Sequence, residues 1–208
     1  MPNKLIFKIL LTITSVWGLD LNAQEYNKER YTVELSVTPL ATVHIGPFQS
    51  LTGGASQKSN NYISGVIRGI YRHTAKWSFS AGLGYSSQEV TTSAAIVNPS
   101  IEQSKYSSNL HIWELPIEAR FNFLKHFYAN AGPLVHAQLN SNNHVDKQTG
   151  LGINIGLGVK VPLSPSFNIS LSPHYKMYSL IPFQTESHHD RTQLLGIAIG
   201  ASYIFGKH

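Results

Sequence analysis

The densest group of side chains able to do chemistry is His188-His189-Asp190, with Glu186 close before it. Imidazoles and carboxylates so near together could hold a divalent cation or serve a surface hydrolase. Metal ligands must converge on one point, however, and adjacent side chains of an extended segment point to opposite sides. The spacing therefore reads as a solvated loop tip. His111 with Ser107 offers a base and a hydroxyl, the outer-wall pair that a lipid A deacylase would need, but no acid completes the set. No Ser/His/Asp order or nucleophile elbow occurs, and Gly150-Leu-Gly-Ile-Asn-Ile-Gly lacks dinucleotide-binding spacing. Cysteine is absent, which excludes disulfides, thiolate metal sites and a lipid-modified cysteine. No catalytic residue, metal or cofactor is expected.

A second set is defined by parity. Glu34, Arg68, Glu114, Glu118, Arg120, Lys160 and Lys176 all occupy even positions, as does His174. The odd positions around most of them are apolar. In strands, alternate side chains share a face, so these charges would point to one side. An ion path or a catalytic carboxylate pair is one use for them. A salt-bridged plug is the expected one, because unpaired buried charges are costly and an eight-stranded barrel is just wide enough for its own side chains.

Eight alternating segments would position these groups. Residues 150–163 alternate most cleanly, with Leu151, Ile153, Ile155, Leu157, Val159, Val161 and Leu163 against mostly Gly. That apolar face is long enough for a tilted strand to cross a bilayer, which takes about 9–11 residues. The others are 30–46, 61–72, 76–88, 108–123, 126–139, 166–179 and 192–205. The first has Tyr31, Val33, Leu35, Val37, Ala41, Val43 and Ile45 facing out; 61–72 is the weakest, since Val66 and Ile70 oppose Ile63, Ile67 and Tyr71. Tight turns at 73–75, 124–125 and 164–165 alternate with longer polar loops at 47–60, 89–107, 140–149 and 180–191. This predicts an all-β fold, an eight-stranded antiparallel up-and-down transmembrane β-barrel with short periplasmic turns and periplasmic termini. A soluble lipocalin-like barrel would instead put its apolar face inside.

Aromatic placement agrees. Tyr31, Tyr71, Trp77, Phe121, Phe123, Phe127, Phe167, Tyr203 and Phe205 lie near the short-turn ends with outward parity, as one interfacial girdle. Pro39, Pro116, Pro133, Pro162 and Pro173 fall inside predicted strands and each removes a ladder donor. Bulges are the expected accommodation.

Composition is consistent with a lipid-facing wall. Charged residues make up 13% of the chain, against about 25% in soluble domains. Residues 1–23 read as a cleaved signal peptide: Lys4, an apolar run from Ile9 to Leu19, and a cut after Ala23 or Gln24. Residues 24–208 would form the barrel domain in the outer membrane of a Gram-negative cell. The formal net charge is +5, but the basic residues are scattered, so nucleic-acid binding is not expected.

Leu110-His-Ile-Trp-Glu-Leu-Pro-Ile-Glu-Ala-Arg-Phe-Asn-Phe123, followed by Phe127-Tyr-Ala-Asn-Ala-Gly-Pro-Leu-Val135, resembles the central hairpin of Bacteroidetes outer-membrane β-barrel domain proteins. The resemblance is to the PorT-like group, similar in build to the OmpX and OmpA barrels. Gly200-Ala-Ser-Tyr-Ile-Phe205 resembles the C-terminal signal read by the barrel-assembly machinery, though Gly206-Lys207-His208 follow the aromatic. These likenesses imply insertion by that machinery, contact with outer-membrane lipid and lipopolysaccharide, and an accessory role in secretion for one relative group. The expectation is a monomeric, largely closed barrel with a structural, adhesive or envelope-accessory role and a possible protein partner at its surface loops. The rivals are an outer-membrane enzyme acting on lipid A or, omptin-like, on surface peptides, and a narrow pore.

Overall fold

A computed structural model describes residues 30–46, 56–93, 105–140, 146–184 and 189–205. The predicted signal segment, His188 and Glu186 lie outside the described residues. Eight strands occur in chain order: β1 Tyr31–Gly46, β2 Ser56–Arg72, β3 Trp77–Ser93, β4 Lys105–Asn122, β5 Phe127–Gln138, β6 Gly150–Pro162, β7 Phe167–Pro182 and β8 Arg191–Phe205. Each pairs antiparallel with the next, and β1 closes on β8, giving a closed barrel. Closure leaves no sheet edge in the wall, which is the condition for strands in lipid.

The outer wall carries the odd, apolar side chains. Leu83, Ile117, Leu157 and Ile199 are all about half exposed on it. Three short connections, 73–76, 123–126 and 163–166, sit at one end. Their hydrogen bonds are compact: His73 N and Thr74 N both donate to Trp77 O at 3.0 Å. Leu163 N donates to Phe167 O at 2.9 Å in the third turn.

Parity breaks where the ladder slips. Pairing of β1 with β8 jumps from Val37↔Ile199 to Leu40↔Ile197, so two residues oppose one at Pro39. Past this bulge the faces exchange. Leu40 and His44 now point out, and Ile45 is buried inside at 4% exposure. The expected outward set Ala41, Val43 and Ile45 is therefore corrected: the bulge moves it to the lumen side. A second slip lies between Asn60 and Ile63, with Asn61 at φ 52°. A third lies where β7 doubles up against Leu151–Ile153, with Ser179 at φ 52°.

The remaining prolines do not bulge the wall. The β3–β4 register keeps one offset from Ala81↔Ile117 to Gly84↔Glu114, and the pair containing Pro116 drops out between them. Pro133 interrupts β4–β5 between Pro116↔Leu134 and Ala119↔Ala131 in the same way. At Pro173 the β6–β7 offset places Leu157 opposite, and the Ser172 hydroxyl donates to Leu157 O at 3.0 Å. Pro162 is the last residue of β6, where no donor is needed further on.

Strands β2, β3 and β4 run further than their sequence suggests. Ser56–Asn60, Glu89–Ser93 and Lys105–Ser107 are strand, not loop. In β3 and β4 the odd positions turn polar here (Glu89, Thr91, Lys105, Ser107) while Val90 stays buried, so the apolar alternation that reveals a strand fades while backbone pairing continues. The same three strands lose their outer neighbours. Pairing of β1 with β2 ends at Thr38↔Ser64, and that of β4 with β5 ends at Ile112↔Gln138. Beyond these pairs β2, β3 and β4 are joined only to one another among the described residues, while β1 runs on to Gly46 paired with β8.

Candidate functional site

The lumen is filled in layers. Nearest the turns, Glu34 from β1 receives Arg68 of β2 at 3.5 Å and Arg120 of β4 at 3.3 Å. Arg68 also reaches Glu118 at 3.9 Å and donates to the Ser36 hydroxyl at 2.6 Å. Asn130 donates to Glu118 at 2.9 Å, and Asn154 donates to the other carboxylate oxygen. The Arg120 guanidinium lies 4.2 Å from the centre of the Tyr128 ring, a desolvated cation–π contact. Small neighbours make this possible. A Cβ on Gly158 would strike the Tyr128 ring, and one on Gly84 would meet Glu114 at 2.7 Å. The cavity among these groups measures about 20 Å³, space for about one water.

One step toward the loops, Lys176 of β7 donates to Glu114 of β4 at 2.6 Å, and Tyr178 donates to the other oxygen at 2.8 Å. Six of the seven inward charges thus fall into two buried ion-pair groups. Lys160 is half-buried on the same face toward the turns, with its charge felt at Glu34. His174 is buried beside the lower group, its Nδ1 3.2 Å from Ser172 O.

Above the charges lies a layer that the even-position reading missed. Ile45, Val90, Leu110, Ile112, Leu134 and Tyr178 form a buried apolar cluster inside the barrel. Its members are inward even residues of β3, β4, β5 and β7, joined by Ile45 after the bulge. The signal was legible in part, since Leu110 and Ile112 share the parity of Glu114.

A polar cap closes the mouth. Gln148 is fully buried: its N–H donates to Gln138 Oε1 at 2.7 Å, its amide to Asp190 O at 2.7 Å, and it accepts from Thr192 N at 3.2 Å. Asp190 N donates to Asp146 Oδ2 at 2.7 Å, and His189 Nδ1 stands 3.9 Å from that oxygen. His189 is thus not a solvated loop tip; it is 4% exposed, because segments 146–149 and 189–192 knot together across the opening. Among the described residues no three His, Cys, Asp or Glu side chains could share a metal. His136 and Ser179 form another buried contact: Ser179 N donates to His136 Nε2 at 2.9 Å.

On the outer wall, His111 and Ser107 do not address each other. Tyr85 Oη lies 2.8 Å from His111 Nδ1, and Ser107 Oγ lies 3.1 Å from Thr91 Oγ1. At the turn end the nine predicted girdle aromatics ring the barrel. Tyr31 and Tyr71 lie 5.5 Å apart, Trp77 and Phe121 4.9 Å, and Tyr203 and Phe205 5.1 Å. Phe123 links Phe121 to Phe127, and Phe167 faces Tyr203 in register.

The sequence matches the family described as outer membrane protein beta-barrel domain over residues 22–208. The chain belongs to that family. Its barrel accordingly resides in an outer membrane, and its apolar wall is the face toward lipid. No curated protein matches it. Among solved structures it is similar to the outer membrane protein AlkL, determined by solid-state NMR in lipid bilayers, with 11% identity, a TM-score of 0.56, and 91% of this chain and 96% of that chain covered. OprG from Pseudomonas aeruginosa is similar at 12% identity and a TM-score of 0.52, covering 87% of this chain and 98% of that one. Neisserial surface protein A is similar at 15% identity and a TM-score of 0.52, covering 84% and 97%. At these identities the likeness is one of fold.

Proposed function

We propose that this protein is a sealed outer-membrane scaffold that docks another polypeptide at its loop end, in an adhesive or envelope-accessory role. The observation that carries it is a plugged lumen together with a sheet whose outer edges lack strand partners at the loop end among the described residues. Ion pairs, an apolar layer and a polar cap occupy the barrel in turn, so transport has no route. Pairing of β2 with β1 lapses beyond Thr38↔Ser64 although β1 runs on to Gly46 against β8, and β4 runs past its last pair with β5 at Ile112↔Gln138, so among the described residues the outer edges of β2 and β4 have no strand partner there. Such edges are templates for strand addition. Tyr106, half exposed on β4, supplies an aromatic anchor beside one of them. The short turns and termini face the periplasm in this reading, as the length asymmetry of the connections supports. The likeness of residues 110–135 to the PorT-like group agrees with a secretion accessory.

A photoreactive residue in place of Tyr106 should cross-link one discrete protein on living cells. Adducts to lipopolysaccharide alone would sink the docking role. On the outer wall Ser107 and His111 hold different partners, and the bonded His136–Ser179 pair is buried inside the barrel. His111→Ala should leave the acylation pattern of lipid A unchanged by mass spectrometry, and an altered pattern would revive the enzyme.

A further inference from the structure

Five buried side-chain atoms that find no hydrogen-bond partner among the described residues gather at one place. Arg68 Nε, Arg120 Nε, Asn130 Oδ1, Asn154 Oδ1 and His174 Nε2 all belong to residues lining the cavity of the ion-pair layer. Strands β2, β4, β5, β6 and β7 contribute one each. None of the five residues is more than 9% exposed. A buried polar atom without a partner is costly, and the more so inside an otherwise bonded network.

In each case the rest of the side chain is already committed. Arg68 gives Nη1 to Glu34 and Ser36, and Arg120 gives both Nη atoms to Glu34. Asn130 and Asn154 donate their amide hydrogens to Glu118, which turns their oxygens away from that carboxylate. His174 Nδ1 lies 3.2 Å from Ser172 O; a proton shared there makes Nε2 an acceptor. Gly156 is in register with both Asn130 and His174. A Cβ on it would meet Asn130 Oδ1 at 2.7 Å and His174 Cβ at 3.3 Å. Its missing side chain keeps room beside two of the acceptors.

Two donors and three acceptors define the chemistry of a guest: it must accept and donate hydrogen bonds alike. The volume of about 20 Å³ admits about one molecule of water size. A halide could accept from the two Nε–H groups. It would then face two amide oxygens, an imidazole lone pair and the carboxylates of Glu34 and Glu118. A metal cation would face the two guanidiniums. Water meets neither objection, since its lone pairs take both Nε–H groups and its hydrogens serve the acceptors.

We propose that the ion-pair layer binds one water as an integral member, shared by Arg68, Arg120 and the acceptors Asn130, Asn154 and His174. It joins the Glu34 side of the network to the Glu118 side. The Leu110–Leu134 layer above is apolar, so the water is held at the level of the charges. The seal is wet below and dry above.

A crystal structure of the full chain in detergent, grown with bromide in place of chloride, reads the site directly. One water should stand within about 2.7–3.2 Å of about three of the five atoms. Anomalous density from bromide at that point would overturn the proposal. So would guanidiniums closed onto Glu118 with no density between them. In solution, the Nε–H resonances of Arg68 and Arg120 should show direct cross-relaxation with water. Ala198 lines the same cavity, and Ala198→Val adds methyl groups at its wall. That variant should lose the cross-relaxation and lower the urea midpoint, because methyl groups satisfy none of the five atoms. Heat-modifiable migration on gels shows whether it is folded. Absence of cross-relaxation in the unaltered chain, or its persistence in folded Ala198→Val, would refute the site.

Discussion

Glu114 illustrates how one carboxylate is made tolerable inside a barrel wall. It is 1% exposed, held by Lys176 on one oxygen and the Tyr178 hydroxyl on the other, with Ile112 and Leu110 just above. Removing its charge strands a buried ammonium, and a broken buried pair typically costs about 3–5 kcal/mol. Glu114→Gln should show a loss of that order in urea unfolding from lipid vesicles. Adding Lys176→Met should recover most of it, because the apolar layer can absorb an uncharged side chain; no recovery would mean that the pair contributes net stability. The seven charges were readable from their shared parity. Which acid meets which base was not, because β1, β2, β4 and β7 are brought together only by closure.

The element whose prediction needed most revision is β1. Its alternation reads as one uninterrupted face in sequence, yet the residue that ends it, Pro39, is visible there. A proline inside a closed wall must lose a ladder bond, and here the chain inserts an extra residue, with the consequence that Ile45 joins the lumen layer. The chain contains no cysteine, so single substitutions report the faces directly. His44→Cys should react with a membrane-impermeant maleimide and Ile45→Cys should be protected in folded protein; the reverse pattern would show that the faces do not exchange. Pro116, Pro133 and Pro173 had the same sequence signature and a different outcome. Their pairs lapse locally at constant register, a choice made by the flanking ladder rather than by the proline.

As a whole, the molecule is a wall with a filled interior and two unlike rims. Two ion-pair groups, the Ile45–Leu110–Leu134 layer and the Gln148 knot lie in series along the axis. Planar bilayers containing the protein should show no steady conductance, and reproducible open channels would contradict a sealed interior. Loss of conductance control in a Gln148→Ala variant would instead place the seal at the mouth.

The amino-acid order by itself determined strand number, the lipid-facing side, the alternation of short and long connections and the aromatic ring at the turn end. These follow from period-two alternation and turn composition, which are local properties of the chain. Only the tertiary structure decided the partners of Glu34, Glu114 and Glu118, the apolar layer above them, the burial of His189 and the lapse of β1–β2 and β4–β5 pairing toward the loop end. Each depends on strands far apart in sequence becoming neighbours, or on backbone pairing that continues after the apolar pattern has stopped.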